Sequence, residues 1–302
     1  NSDLGVNNGY PKHVLALRAY VDLMKLRVVE LLIITTLPAM VLANKGLPSF
    51  GLVVATLIGG TLAAGSSNAF NMVIEADTDK LMARTSKRPL VLGMVTKTQA
   101  TVFASAIGLL SLAIFQIFTT TLATLLTAIA IFYYVVIYTI ILKPNTAQNI
   151  VWGGAAGCMP VLIGWAAVTG SLTWVPVAFF MVIFFWTPPH FWALAIKYKD
   201  DYSAAGIPML PSVSTQSVVI SQMWFHTIAM VISSTAMIQL AHLPVWVLCL
   251  TVLLGAVFTF QLFALKENAE NYNKVAAGIF HWSITYLSLL SVLLVVAQLV
   301  SN

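Results

Sequence analysis

Long stretches of apolar residues constrain the fold of this chain more than any other feature. We count nine, each of about 20 residues, which is the length with which an α-helix crosses the hydrocarbon core of a bilayer. The uncharged run 100–142 would be about 65 Å long as one helix, so it divides into two spans. The nine predicted spans cover residues 28–43, 51–74, 100–118, 121–142, 150–168, 174–196, 217–240, 244–265 and 278–300. The sequence therefore predicts an all-α polytopic membrane protein.

Composition excludes a soluble protein. The 302 residues are 59% hydrophobic and 8% charged, whereas soluble domains are about half apolar and about a quarter charged. The net charge of +5 would favour nucleic acid in a soluble protein, but here the basic residues flank the predicted spans, so we expect a lipid bilayer as the partner and no nucleic acid. We interpret residues 1–302 as a single integral membrane domain with a polar N-terminal segment at residues 1–20.

The lysine and arginine residues predict the orientation of the chain. With the N-terminus placed inside, fourteen of the fifteen fall on the inner side and only Lys45 falls outside. Positively charged loops remain in the cytoplasm during insertion. The pattern predicts a multi-pass protein of the cell membrane whose N-terminus is cytoplasmic and whose C-terminus lies on the opposite side.

A ladder of oxygen ligands closes the second predicted span. Asn71, Glu75 and Asp79 are spaced four residues apart, so on a helix they lie along one face. Mg²⁺ is commonly held by one or two carboxylates together with substrate phosphates. Arg84, Lys87 and Arg88 follow, and they are suited to phosphate oxygens that a metal does not reach. The pattern favours a magnesium diphosphate site, and the alternative is an ordinary charged cytoplasmic loop.

A second polar group follows the sixth predicted span. Pro188 and Pro189 are predicted to break this helix, and a helix restarting there would carry His190, Lys197 and Asp201 on one face, opposite the acids across a cavity. A histidine inside a membrane often makes only a structural hydrogen bond, but an ionisable group there is also a candidate for function.

Two charged residues near other span ends have simpler interpretations. Lys143, which ends the fourth predicted span, is typical of a lysine that extends to the membrane surface, with a lid over bound diphosphate as the alternative. Glu30 is interpreted as an ion-pair partner of Arg27 and is left outside the site.

These motifs together resemble the UbiA-type intramembrane prenyltransferases, and within them the branch that farnesylates haem. The ladder matches the first signature of the family, with Glu75 in place of the usual Asp, and the resemblance runs nearly end to end. The other matching residues are Asp77, Met82, Arg84, Thr85, Arg88 and Pro89, the blocks 149–170, 186–202, 205–211 and 280–286, and residues 25–29.

The resemblance implies nine transmembrane helices around a central cavity that opens near the cytoplasmic face. It also implies transfer of the farnesyl group of farnesyl diphosphate to a vinyl group of haem b, giving haem O and diphosphate, with Mg²⁺ as cofactor. A haem A synthase or a terminal oxidase assembly system is the implied protein partner. The remaining alternatives are an aromatic acceptor, a transporter and a haem-binding assembly factor without catalysis.

The resemblance also implies roles for individual residues. The metal ligands would be Asn71, Glu75 and Asp79, and these three with Arg84, Arg88 and His190 would form the catalytic set, His190 acting at the haem. Lys197 or Lys199 would meet the haem propionates. The expected substrate-binding residues are Asp77, Lys87, Lys143, Lys197, Lys199, Asp201 and Tyr202.

Overall fold

Helices account for all the regular secondary structure in the part of the chain that the computed structural model describes, which is residues 12–301 without the side chains of residues 12–14 and 28. The polar N-terminal segment that we expected at residues 1–20 lies largely outside this range. Its described part, from residue 12, belongs to a helix, α1 (Lys12–Met24), which the sequence analysis did not predict.

Eight helices are long and apolar enough to cross a bilayer. They are α3 (Phe50–Ile74), α5 (Lys97–Phe118), α6 (Thr121–Phe132) with its continuation to residue 145, α8 (Asn149–Thr169), α9 (Trp174–Lys197), α12 (Gln216–Leu240), α13 (Val245–Phe263) and α14 (Tyr272–Val300). The short helices α4 (Ala76–Asp79), α7 (Lys143–Asn145), α10 (Lys199–Ala204) and α11 (Leu210–Val213) lie between them. These helices confirm an all-α polytopic membrane protein.

The first predicted span is helix α2 (Val28–Asn44). Its 17 residues are about 25 Å long, which is short of the roughly 30 Å hydrocarbon core. The helix is preceded by α1, and the two are bent by 45° at the break between them. The described residues therefore provide eight spans, or nine if this bent pair crosses as one.

Helix α9 runs without a break through Pro188 and Pro189, so the predicted interruption of the sixth span is wrong. Both prolines are buried, and α9 packs against α8, α12 and α14. Neighbouring helices support the backbone of a membrane helix where proline removes an N–H donor. As a result, His190 lies inside a continuous span.

Small residues bring α3 and α5 into close contact. The Ser66 hydroxyl donates to the carbonyl of Ala104 at 2.7 Å, and the Ser111 hydroxyl donates to that of Gly59 at 2.6 Å. A Cβ on Gly59 would lie 2.7 Å from the ring of Phe115. Such contacts are typical of membrane helices that approach through small residues.

Helix α6 continues as a π-helix over Tyr133–Leu142. The Thr139 hydroxyl donates to the carbonyl of Tyr134, five residues earlier, at 2.9 Å. A π-helix is wider than an α-helix and turns more slowly, and it is often found at functional sites. In this fold it places Thr139 beside Asn71 and Lys143 beside Glu75.

Candidate active site

The acid ladder lies where α3 meets α4. Helix α3 ends at Ile74, and Glu75 adopts φ −90°, ψ 5° before α4 begins. The amide of Glu75 still donates to the carbonyl of Asn71 at 2.9 Å, and the amide of Asp79 donates to that of Glu75 at 2.8 Å. The predicted one-turn spacing therefore survives the helix break. All three residues are buried.

Two cations compensate the buried carboxylates. Arg88 Nη1 lies 2.5 Å from Asp79 Oδ2 and 3.6 Å from Glu75 Oε2. Lys143 Nζ lies 2.5 Å from Glu75 Oε1. A buried charge without a partner is strongly destabilising, and Arg88 and Lys143 supply partners for both acids. Lys143 thus reaches the ladder instead of extending to the membrane surface.

Arg84 is held by two tyrosines of the segment that follows α9. Its Nη2 donates to the Tyr202 hydroxyl at 3.5 Å, and its Cζ lies 5.9 Å from the ring centroids of both Tyr198 and Tyr202. Burial raises the pKa of the Tyr202 phenol, and the Arg84 charge opposes this only in part. Tyr202 therefore stays protonated and contacts Arg84 as a neutral acceptor.

A cavity of about 1050 Å³, here called the central cavity, joins the basic cluster to His190. Arg84, Lys87 and Arg88 line it, and so do His190 and aromatic residues that include Phe280. Glu75 and Asp79 are connected to this cavity through Arg88. Of the second polar group predicted from the sequence, His190 thus shares a cavity with the basic cluster that follows the ladder.

His190 has a defined orientation and tautomer. Its ring stacks between Trp186, with centroids 4.3 Å apart, and Phe280, with centroids 4.8 Å apart. Its Nδ1 lies 2.6 Å from the Ser283 hydroxyl, which itself donates to the carbonyl of Phe280 at 2.6 Å. A hydroxyl has one proton to donate, so Nδ1–H of His190 donates to Ser283. The lone pair on Nε2 is then free to accept a hydrogen bond or bind a metal.

Other predicted site residues lie elsewhere. Asp77 is exposed and pairs with Lys80 at 3.0 Å and Lys97 at 3.2 Å. Lys197 and Lys199 line a different cavity from His190. The continuous face predicted for His190, Lys197 and Asp201 is wrong, because α9 ends at Lys197 and Asp201 belongs to α10.

Three charged residues near the start of α2 line the central cavity although the sequence did not predict them as site residues. Lys25, Arg27 and Glu30 all line the central cavity. Glu30 had been assigned to an ion pair with Arg27, but the described residues form no such pair. Lys25 and Arg27 belong to the block that resembles the family, and that block was the available signal for them.

An apolar chamber of about 270 Å³ lies within the bundle near the ladder. Asn68, one turn before Asn71, lines it, and so do Phe115, Ile131 and Phe191. Phe191 also lines the central cavity. A long apolar group attached to a phosphate at the ladder therefore has a chamber of matching character close by.

Within residues 12–301, no three His, Cys, Asp or Glu side chains converge on a point where a metal would bind. A metal at the ladder would be held by two carboxylates, the Asn71 amide and a ligand supplied by the substrate. Because Mg²⁺ usually keeps only one or two protein carboxylates and takes phosphate oxygens as further ligands, the donor set fits this ion.

The fold and this site define a class of protein: a multi-pass helical membrane protein with a charged cavity suited to an amphiphilic anion. A model of the UbiA prenyltransferase family matches residues 32–284. The chain belongs to that family.

Similar proteins include a protoheme IX farnesyltransferase of Renibacterium salmoninarum, 49% identical over 295 residues, which span 95% of this chain and 93% of that protein. Another protoheme IX farnesyltransferase, from Frankia alni, is 49% identical over 285 residues, or 94% of this chain and 99% of that protein.

Two solved structures share the fold. A UbiA homolog from Aeropyrum pernix K1 gives a TM-score of 0.69 at 16% identity, covering 91% of this chain and 98% of that chain. A UbiA homolog from Archaeoglobus fulgidus, bound to GPP and Mg²⁺, gives a TM-score of 0.66 at 17% identity, covering 89% of this chain and 99% of that chain.

Proposed function

We propose that this protein transfers the farnesyl group of farnesyl diphosphate to a vinyl group of haem b, forming haem O and releasing diphosphate. The observation that carries this proposal is that the basic cluster and His190 line the same cavity, while Arg88 of that cluster also contacts Asp79 of the ladder. The relatives named protoheme IX farnesyltransferase, 49% identical over nearly the whole chain, support the same reaction.

The ladder and its cations form the diphosphate site in this proposal. Asn71, Glu75 and Asp79 would hold Mg²⁺, which, when bound, neutralises negative charge on the diphosphate oxygens. Arg84 and Arg88 take the oxygens that remain, and fixed positive charge in a site shielded from water stabilises the leaving group as its charge develops. Lys143 contacts Glu75, and this places its charge beside the proposed diphosphate site.

The reaction requires an apolar environment around the allylic cation. The C–O bond of farnesyl diphosphate breaks, and its electron pair leaves with the diphosphate. The π electrons of the vinyl group then form the new C–C bond, and water captures the resulting cation and releases a proton. The apolar chamber holds the farnesyl chain, so that water is excluded until the vinyl group has reacted.

His190 and the rim of the central cavity hold the haem. The free Nε2 of His190 suits the haem iron, for which histidine is a common axial ligand. Because Lys197 and Lys199 face another cavity, we assign the haem propionates to the cations that share a cavity with His190, namely Lys25, Arg27 and Lys87. The haem is a substrate in this scheme.

We place the protein in the cell membrane with its N-terminus in the cytoplasm. The acid ladder then faces the cytoplasm, where a soluble diphosphate leaving group is released. Haem O carries a long apolar farnesyl chain, so we propose that it passes within the membrane to a haem A synthase or a terminal oxidase assembly system.

A reconstituted reaction tests the function. Membranes that contain the protein are incubated with haem b, farnesyl diphosphate and Mg²⁺, and the extracted haem is analysed by mass spectrometry. We expect the mass of haem O, its loss in the presence of a chelator, and no product in membranes without the protein. Prenylation of an aromatic ring in place of haem, or full activity in chelator, would contradict the proposal.

A further inference from the structure

A second large cavity lies at the C-terminal end of α9 and the N-terminal ends of α12 and α14. Its volume is about 930 Å³. Lys197, Lys199, Lys274 and His281 line it, and Asp200 is its one acidic lining residue. We call it the cationic cavity. With His281 neutral, its side chains carry a net charge of +2.

The lysines of this cavity differ from the active-site cations in their contacts. Within the described part of the chain, none of Lys197, Lys199 and Lys274 takes part in an ion pair. Lys197 Nζ instead lies 5.4 Å from the ring centroid of Tyr198. By contrast, Arg88 and Lys143 in the active site each contact a carboxylate. Three lysines around one cavity provide point charges of the kind that bind phosphate.

The polar and apolar parts of the lining suit an amphiphile. Thr215, Gln216 and Asn273 add hydroxyl and amide groups to the lysines, whereas Leu194 and Val219 are apolar. Lys197 ends a membrane span and Lys274 lies in the first turn of another. Lysines in this position are attracted to anionic groups at the membrane surface.

The cationic cavity adjoins the active site and is separate from it. Phe280 lines both cavities and stacks on His190. Tyr198 contacts Lys197, and its ring also lies beside Arg84. The two aromatic side chains therefore stand between the cavities.

We propose that the cationic cavity is a binding site for a phosphate anion, distinct from the diphosphate site at the acid ladder. The anion is either the headgroup of an anionic phospholipid or free phosphate. Lys199 and Lys274 provide the charge, and the apolar lining is available to the chain of a lipid.

Lipid binding by the purified full-length protein tests this site. Native mass spectrometry would compare phosphatidylglycerol with phosphatidylcholine, for the wild type and for the double variant Lys199→Gln/Lys274→Gln. The matched control is Lys80→Gln/Lys266→Gln, which removes two exposed lysines that do not line this cavity. In a parallel arm, inorganic phosphate is titrated while the melting temperature is followed.

We expect the cavity variant to lose about 30-fold in affinity for phosphatidylglycerol, at roughly 1 kcal/mol for each lysine, while the control variant changes little. The conservative variant Lys199→Arg/Lys274→Arg should retain binding. If phosphate stabilises the wild type and not the cavity variant, while both lipids bind alike, the site takes free phosphate.

Equal binding of both probes to the cavity and control variants would overturn the proposal. So would loss of haem b binding in the cavity variant without any change in phosphate or lipid binding, because the cavity would then receive haem carboxylates. Failure of haem O formation in the wild type would contradict the proposed function alone, since lipid and phosphate binding are measured without it.

Discussion

Asp77 and Asp79 are two residues apart and lie in opposite surroundings. The Asp79 side chain is 4% exposed and contacts Arg88, whereas that of Asp77 is 75% exposed and contacts Lys80 and Lys97. Those two lysines hold the pKa of Asp77 below its usual range, so it is ionised at neutral pH. Exposed ion pairs contribute little stability.

This contrast gives the first prediction. Asp79→Asn should lower the rate of haem O formation by about 10²-fold or more, because it removes a fixed charge at the leaving-group site. Asp77→Asn should change the rate less than about threefold, since its charge is exposed and screened. Rates are compared at equal amounts of folded protein in the membrane. An equal decrease in the rate of haem O formation in both variants would contradict the assignment of Asp79 to the leaving-group site.

The second prediction concerns the tautomer of His190. Ser283→Ala removes the acceptor for Nδ1–H, and loss of such a support for a metal-binding histidine typically costs about 10- to 100-fold in affinity. We expect weaker haem b binding and an altered haem absorption spectrum. The matched control on α14 is Ser288→Ala, since the exposed Ser288 hydroxyl donates only to the carbonyl of Ile284. Unchanged haem binding in both His190→Ala and Ser283→Ala would exclude the histidine from the haem site.

At the scale of single elements, the glycines of α8 differ in what surrounds them. A Cβ on Gly164 would lie 2.9 Å from the backbone oxygen of Thr36 in α2, whereas a Cβ on Gly157 has no atom within 4 Å. The backbone cannot move aside as a flexible side chain does. A methyl group at residue 164 would therefore push α2 and α8 apart.

The third prediction follows from this difference. Gly164→Ala should lower the free energy of unfolding by about 1–3 kcal/mol. Gly157→Ala should be neutral or stabilising, because alanine favours a helix by about 1 kcal/mol over glycine. Melting temperatures in detergent, measured side by side, provide the comparison. If Gly164→Ala and Gly157→Ala lost equal stability, the close approach of α2 to α8 would not be what excludes a side chain at residue 164.

The boundaries of the membrane spans were predictable because each apolar run is bounded by polar residues. The course of α9 was not, because a local rule for proline ignores the support of α8, α12 and α14. Likewise, the spacing of Asn71, Glu75 and Asp79 predicted that their side chains share one helix face. Nothing in the local sequence indicated that a π-helix brings Lys143 to Glu75. Lys25 reaches the central cavity through the bend between α1 and α2, and such a bend depends on tertiary packing.

Across the whole molecule, ionisable groups are concentrated at the ends of the helices. The ladder lies where α3 meets α4, Lys143 follows the π-helix, and Lys197 ends α9. Successive membrane spans alternate in direction, so these ends lie on one membrane face if each long helix crosses once. The loop between α2 and α3 then lies on the opposite face.

The fourth prediction tests this orientation. Leu47 and Leu81 are 69% and 61% exposed, and they lie in the loop before α3 and in the segment between α4 and α5. In a background without Cys158 and Cys249, a membrane-impermeant maleimide should label Leu81→Cys only in inverted vesicles and Leu47→Cys only in right-side-out vesicles. The physical reason is the excess of lysine and arginine on the ladder side, which is retained in the cytoplasm. Labelling in the reverse pattern would place the diphosphate site outside the cell, where a cytosolic prenyl diphosphate does not reach it.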